Sequence, residues 1–209
     1  MATFAALGKA SAASPITAAA FQQKHFYARQ TRRSWSSRLY FQDDLGNTLA
    51  FIRNTHCQYS QEIRVFTDPT LSFELLAIRP ASHADDADQF TVTDSLTREL
   101  AGTIYHRHIA GELRQEWSLH SASAEKIVVI GEDSGFLALL RRYLTELIPQ
   151  SYTFYVGSRA VGSAIPGNML WAHTMEIDLT GDDARLIDRR LLLAAVVLIM
   201  TGKRQGAHS

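Results

Sequence analysis

Ten consecutive apolar residues, Leu191 to Met200, lie near the end of this 209-residue chain. They sit within Asp182–Lys203, where Thr180 or Asp182 can cap a helix start and Gly202 with Lys203 and Arg204 suits its end. A helix made from this run has no polar face across its central turns, so protein or lipid must surround it. Length decides between the two. Leu191–Thr201 rises about 16 Å at 1.5 Å per residue, against about 30 Å of bilayer hydrocarbon. Arg189-Arg190 prevents cheap extension backwards, because charges at the centre of a span are costly. The expectation is a helix buried in protein, with no transmembrane span.

The rest of the chain supplies a wall to bury it. Twelve short segments show period-two alternation or β-branched and aromatic enrichment between turn residues. They are His25–Gln30, Ser37–Gln42, Asn47–Arg53, Glu62–Thr67, Ser72–Arg79, Asp88–Thr93, Leu100–Arg107, Arg114–His120, Lys126–Glu132, Ser151–Val156, Arg159–Ala164 and Leu170–Leu179. Gly46 suits a hairpin position that needs a left-handed residue, and Gly157-Ser158 separates two strands by two residues. Even spacing of this kind marks a sandwich or barrel, not alternating βαβ units. Barrel diameter grows with strand number, and more than eight strands leave room inside.

The predicted fold is therefore mainly β: a closed twelve-stranded antiparallel barrel enclosing its own C-terminal helix. Leu191, Leu192, Leu193, Val196, Val197, Leu198, Ile199 and Met200 are expected to fill the lumen. A second, short amphipathic helix is expected over about 134–147, where Phe136, Leu139, Leu140, Tyr143, Leu144 and Leu147 recur at helical spacing with Asp133 or Ser134 as cap. Residues 1–22 read as a flexible Ala/Ser-rich extension without the pattern of a targeting signal, 23–204 as the barrel and 205–209 as a tail.

Over about residues 23–204, the layout resembles the LURP-one-related and phospholipid scramblase-like family of the tubby-like superfamily. The resemblance is carried by the strand order, the FxALLRRYLT segment (Phe136–Thr145), PQSYTFYVG (Pro149–Gly157), MEIDLT and LIDRRLLLAAVVLIM. It implies a twelve-stranded barrel around a central hydrophobic helix. Tubby domains bind phosphoinositide headgroups, and scramblases are linked to calcium-dependent phospholipid movement. The acids Asp178, Asp182, Asp183 and Asp188 lack the Asp-x-Asp-x-Asp-Gly layout of a calcium loop. The chain also has only four lysines and a single cysteine, Cys57, where those families use a lysine-rich pocket and cysteine clusters. The fold carries over; no binding residue does.

Chemistry is sparse. Neither G-x-x-x-x-G-K nor G-x-G-x-x-G occurs. Gly131-Glu-Asp-Ser-Gly135 is not a nucleophile elbow, so Ser134 reads as a helix cap. His56-Cys57 adjoin without any sign of an activated thiol. His106 and His108 share a strand face and could begin a metal site with His56 or His120, but no complete ligand set is in view. The Asp85-Asp86-Ala-Asp88 segment reads as a solvated loop, and Trp35, Trp117 and Trp171 as core or rim residues. No enzyme, cofactor or metal is expected.

Charge is the remaining signal. Acidic and basic residues balance at 21 each, which argues against a nucleic-acid partner. Yet Lys9, Lys24, Arg29, Arg32, Arg33 and Arg38 all precede the first acid, Asp43. Arg29, Arg32, Arg33 and Arg38 fall around the junction of the first two strands, and arginine forks suit phosphate oxygens. The rival fate of these arginines is pairing with the surplus acids of the body. The expectation is a cytoplasmic protein, peripheral at a membrane, that binds anionic phospholipid headgroups through these four residues. The alternative is a scaffold or regulatory module that meets a protein partner.

Overall fold

The structure is a computed structural model that describes residues 21–33, 36–53, 61–84, 87–108, 115–132, 151–167 and 173–202. All twelve expected strands form: β1 (His25–Arg33), β2 (Ser36–Gln42), β3 (Thr48–Ile52), β4 (Ile63–Phe66), β5 (Glu74–Ala84) and β6 (Ala87–Asp94), followed by β7 (Leu100–His108), β8 (Gln115–Ser121), β9 (Lys126–Glu132), β10 (Tyr152–Val156), β11 (Arg159–Gly167) and β12 (His173–Asp178). Each pairs antiparallel with its chain neighbours, and β1 pairs with β12 from His25↔Asp178 to Gln30↔His173, which closes the barrel. A meander can close antiparallel only with an even number of strands, because its first and last strands must run in opposite directions. Among the described residues the thinnest seam joins β3 to β4, where Phe51↔Phe66 is the one registered pair.

Alternation sorts the side chains. On β1, Phe26, Ala28 and Gln30 are buried while Arg29 is exposed, and on β12 Met175 and Ile177 are buried while Glu176 is exposed. The inward residues meet α1 (Arg189–Gly202), which lies nearest β5–β8. Every residue from Leu191 to Thr201 is buried, so the eight residues expected to fill the lumen do so, together with Ala194 and Ala195. Burying each large aliphatic side chain is worth about 1.5–3 kcal/mol. The plug is therefore a main part of the core. Gly102 on β7 shows how tightly it fits: a Cβ there would stand 2.1 Å from the His120 carbonyl oxygen and 3.0 Å from Leu191 Cδ1.

The helix starts later than the sequence suggests. Neither Thr180 nor Asp182 caps it; Asp188 does, accepting from Arg190 N at 2.9 Å through its side chain and from Leu192 N at 3.0 Å through its carbonyl. Asp182 instead folds a loop, accepting from Leu186 N at 2.7 Å and Ile187 N at 3.3 Å. Arg185 in this loop has φ 51°, a left-handed turn that keeps the helix from extending back to Asp182.

As expected, Gly46 takes positive φ in its hairpin turn and Gly157-Ser158 joins β10 to β11 in two residues; Gly157 also has positive φ. Trp117 is a core residue. The expected helix at 134–147, residues 1–20, the tail, His56, Cys57, Asp85, Asp86, Ser134, Trp35 and Trp171 lie outside the described residues. The described hairpin turns and the start of α1 sit at the same end of the barrel.

Candidate functional site

The first hairpin places all four candidate arginines on two neighbouring strands. Arg29 lies opposite Tyr40, Arg38 opposite Thr31, Arg32 opposite Ser37 and Arg33 opposite Ser36. Arg29 and Arg38 are exposed on the outer wall, diagonal neighbours across β1–β2. The side chains of Arg32 and Arg33 lie outside the described residues. Arg53 was not singled out by sequence. It is exposed and directly follows Ile52, the partner of Leu39, and so continues the row at the level of Arg38.

Pairing with surplus acids is the fate of several other basic residues, but not of these. Lys24 reaches Asp183 at 2.8 Å, Arg64 reaches Glu62 and Glu74 at 3.0 and 3.1 Å, and Arg79 reaches Glu62 at 3.1 Å. Arg189 pairs with Asp182 and Arg190 with Asp94 and Asp188. Among the described residues, Arg29, Arg38 and Arg53 make no such ion pair.

Where β1 meets β12 and the β2–β3 turn, the outer wall is hollowed into a groove of about 400 Å³. Its floor holds Tyr27 and Arg29 from β1, Gln42 from β2 and Thr174 and Glu176 from β12. Asp43, Asp44 and Gly46 of the turn form one side, and Gly167 the other. Register fixes the layout: Tyr27 is opposite both Glu176 and Gln42, and Arg29 is opposite Thr174.

The three carboxylates are already engaged. Asp43 accepts from Leu45 N, Asn47 N and the Asn47 side-chain amide, and the Asn47 contacts together with the turn amides hold its carboxyl below the usual range. His25, at the groove's edge, bridges the other two: Nδ1 lies 2.6 Å from Asp44 Oδ1 and Nε2 lies 3.0 Å from Glu176 Oε1. Both ring nitrogens face acceptors, the arrangement that suits a doubly protonated imidazolium. The Glu176 hydrogen bond and then Asp44 raise the His25 pKa against an opposing effect of burial. The same two carboxylates, after desolvation, push the Tyr27 hydroxyl up, so negative potential reaches the groove floor.

This groove was not visible in sequence, because Arg29 and Glu176 become neighbours only when the barrel closes. The one local sign was the alternation of Met175-Glu-Ile-Asp-Leu179, which puts Glu176 on the outer face.

Other sequence candidates separate. His106 points inward, its ring stacked on Trp117 at 3.9 Å and 12°, with Nδ1 3.7 Å from Asp88 Oδ2. His120 packs edge-on against Tyr105 and lies 3.2 Å from Ser118 Oγ, on the opposite face of the wall, so it cannot join His106 around one ion. The side chain of His108 lies outside the described residues. Among the described residues no three His, Cys, Asp or Glu side chains gather as a metal set. Asp88 belongs to β6 rather than to a solvated loop. Asp178, Asp182, Asp183 and Asp188 serve as a turn acceptor for Thr180, a loop anchor, the Lys24 partner and the helix cap.

Among the described residues no helix is long and apolar enough to cross a membrane. No family model and no curated protein matches the chain.

Proposed function

We propose that this protein is a non-enzymatic tubby- and scramblase-like barrel that binds anionic phospholipid headgroups peripherally, from the cytoplasm, through the β1–β2 hairpin. The observation that carries it is the row of three neighbouring arginines on β1–β3, Arg29, Arg38 and Arg53, exposed and free of ion pairs among the described residues, whereas Lys24, Arg64, Arg79, Arg189 and Arg190 are paired. An unpaired guanidinium keeps its fork for a phosphate. Arg32 and Arg33 sit on the same hairpin and extend the basic stretch. Near an anionic membrane each basic residue adds about 1 kcal/mol of attraction.

Sedimentation with vesicles, with and without anionic lipid, tests this. Replacing Arg29 and Arg38 by Ala removes about 2 kcal/mol, roughly a 30-fold loss of vesicle affinity. Binding that ignores lipid charge and survives Arg33→Glu/Arg38→Glu overturns the proposal.

A second reading, a protein-interaction scaffold, is favoured by a different feature. Leu45, Phe73, Leu96, Leu100 and Leu186 are all at least 45 % exposed and all sit at the turn end of the barrel. Apolar side chains gathered at one end suit a partner surface. A stoichiometric protein partner that is lost with Phe73→Ser/Leu96→Ser, without any lipid affinity, selects this reading.

A further inference from the structure

The groove at the β1–β12 seam has two electrical halves. At one end stand Asp44 and Glu176, with Tyr27 between β12 and β2 and its ring against His25 at 5.1 Å. At the other, two residues along β1, stands Arg29. Arg29 shares a 400 Å³ hollow with three carboxylates and yet forms no ion pair with any of them. The acids are held elsewhere, by the turn amides and by His25, so the guanidinium keeps its donors while negative potential persists a short distance away.

His25 also shows what the acidic half accommodates. When protonated it is a flat cation with two N–H donors, one facing a turn carboxylate and the other a β12 carboxylate. A ligand ammonium carries three donors and can share the same oxygens, with Tyr27 lining the same groove. Arg29 and Glu176 are diagonal across the β1–β12 ladder, since Arg29 is opposite Thr174 and Tyr27 opposite Glu176. Diagonal positions are about 7–8 Å apart, and somewhat less between Cβ atoms. That spacing suits two opposite charges joined by a short linker, with a hydrogen bond at each end. Gln42 and Thr174 on the floor offer neutral donors and acceptors between them.

We infer that this groove binds a dipolar ligand, a phosphate ester that carries an amine: the oxyanion on Arg29 and the ammonium between Glu176 and Asp44. The inference rests on the lipid-binding reading for the role of Arg29 and adds to it the chemical class of the headgroup. A simple anion would gain from Arg29 and lose to the acids; only a ligand with both charges gains at both ends.

The test compares two soluble probes on the full chain by calorimetry and by NMR of the Tyr27 and Arg29 amides. Phosphoethanolamine has both charges, whereas glycerol phosphate has the oxyanion alone. Phosphoethanolamine is expected to bind at least tenfold more tightly. Glu176→Gln, which keeps an oxygen for His25, should bring the two probes level, and Arg29→Ala should weaken both. Circular dichroism of each variant should match that of the parent, since both positions are exposed.

A parallel arm uses phosphatidylcholine vesicles that carry either phosphatidylserine, an anionic lipid with an amine, or phosphatidylglycerol, an anionic lipid without one. If soluble phosphoethanolamine fails but the serine-bearing vesicles bind more tightly in a Glu176-dependent manner, the ligand is the lipid form. No amine dependence in either arm overturns the inference. Equal affinity with binding to anionic vesicles intact would leave the lipid proposal standing. Amine-dependent binding of the soluble probe with no vesicle binding would do the reverse.

Discussion

Arg189 Nη2 lies 3.1 Å from Asp182 Oδ2, with the Asp182 side chain fully buried and that of Arg189 only 11 % exposed. This pair ties the first turn of the plug to the loop that carries the chain from the wall into the lumen. Burial lowers the Arg189 pKa and the Asp182 charge opposes that effect, so each group makes the other tolerable in the interior. Asp182 also satisfies the amides of Leu186 and Ile187.

Removing one partner strands the other. Asp182→Ala is expected to destabilise the fold by about 3–5 kcal/mol, the usual result of leaving a buried charge uncompensated. Urea unfolding of Asp182→Ala beside Asp182→Asn, which keeps an acceptor for the two amides, measures it. An unchanged midpoint for the alanine variant would show that the pair does not anchor the plug.

The plug itself should be indispensable. Truncating one wholly buried lumen residue, Leu198→Ala, is expected to cost about 2–5 kcal/mol. Deleting residues 186–209 should give an insoluble chain, because the inner faces of the strands then lose their apolar cover. Size-exclusion chromatography of a soluble, monomeric truncation would contradict this.

Glycine positions separate close packing from turn conformation. A Cβ on Gly102 meets backbone at 2.1 Å and the plug at 3.0 Å, whereas one on Gly46, at φ 82°, meets nothing within 4 Å. Gly102→Ala must move a strand or the helix, at about 1–3 kcal/mol for overpacking or more. Gly46→Ala incurs only left-handed strain, about 1–2 kcal/mol. Thermal unfolding of the two variants should therefore rank Gly102→Ala as the less stable.

The His25 bridge gives a pH dependence of defined sign. Its folded pKa is raised above the ordinary value of 6.5 by Glu176 and then Asp44. The stabilisation is therefore complete below pH 6.5 and is lost as the pH rises through the folded value. His25→Gln should flatten the stability profile in that window. NMR titration of the imidazole, with a midpoint at or below 6.5, would refute the bridge.

Much of the architecture was legible because it follows from short-range patterns. The plug could be read because ten apolar residues in a row leave a helix no face for water, and their length is too short for a bilayer. The strands could be read because alternation assigns one face to the core. Helix start was misplaced at Thr180 or Asp182, since several Asp residues in succession can each cap, and the choice of Asp188 depends on where the barrel mouth lets the helix enter. Gly102 gave no sign of its role, because the helix it touches is far away in the chain.

The site divides in the same way. A cluster of early arginines was visible as a run without acids, but Arg53 was not, because only β2–β3 pairing brings it level with Arg38. Local order in the chain determined which segments would be strands, which would be the plug and which face each side chain would take. Only the tertiary structure decided which charges are neutralised and which are left free. Strand closure sets Tyr27 and Arg29 against Thr174 and Glu176 across almost the whole length of the barrel sequence, and electrostatic energy depends on distance in space rather than on separation along the chain.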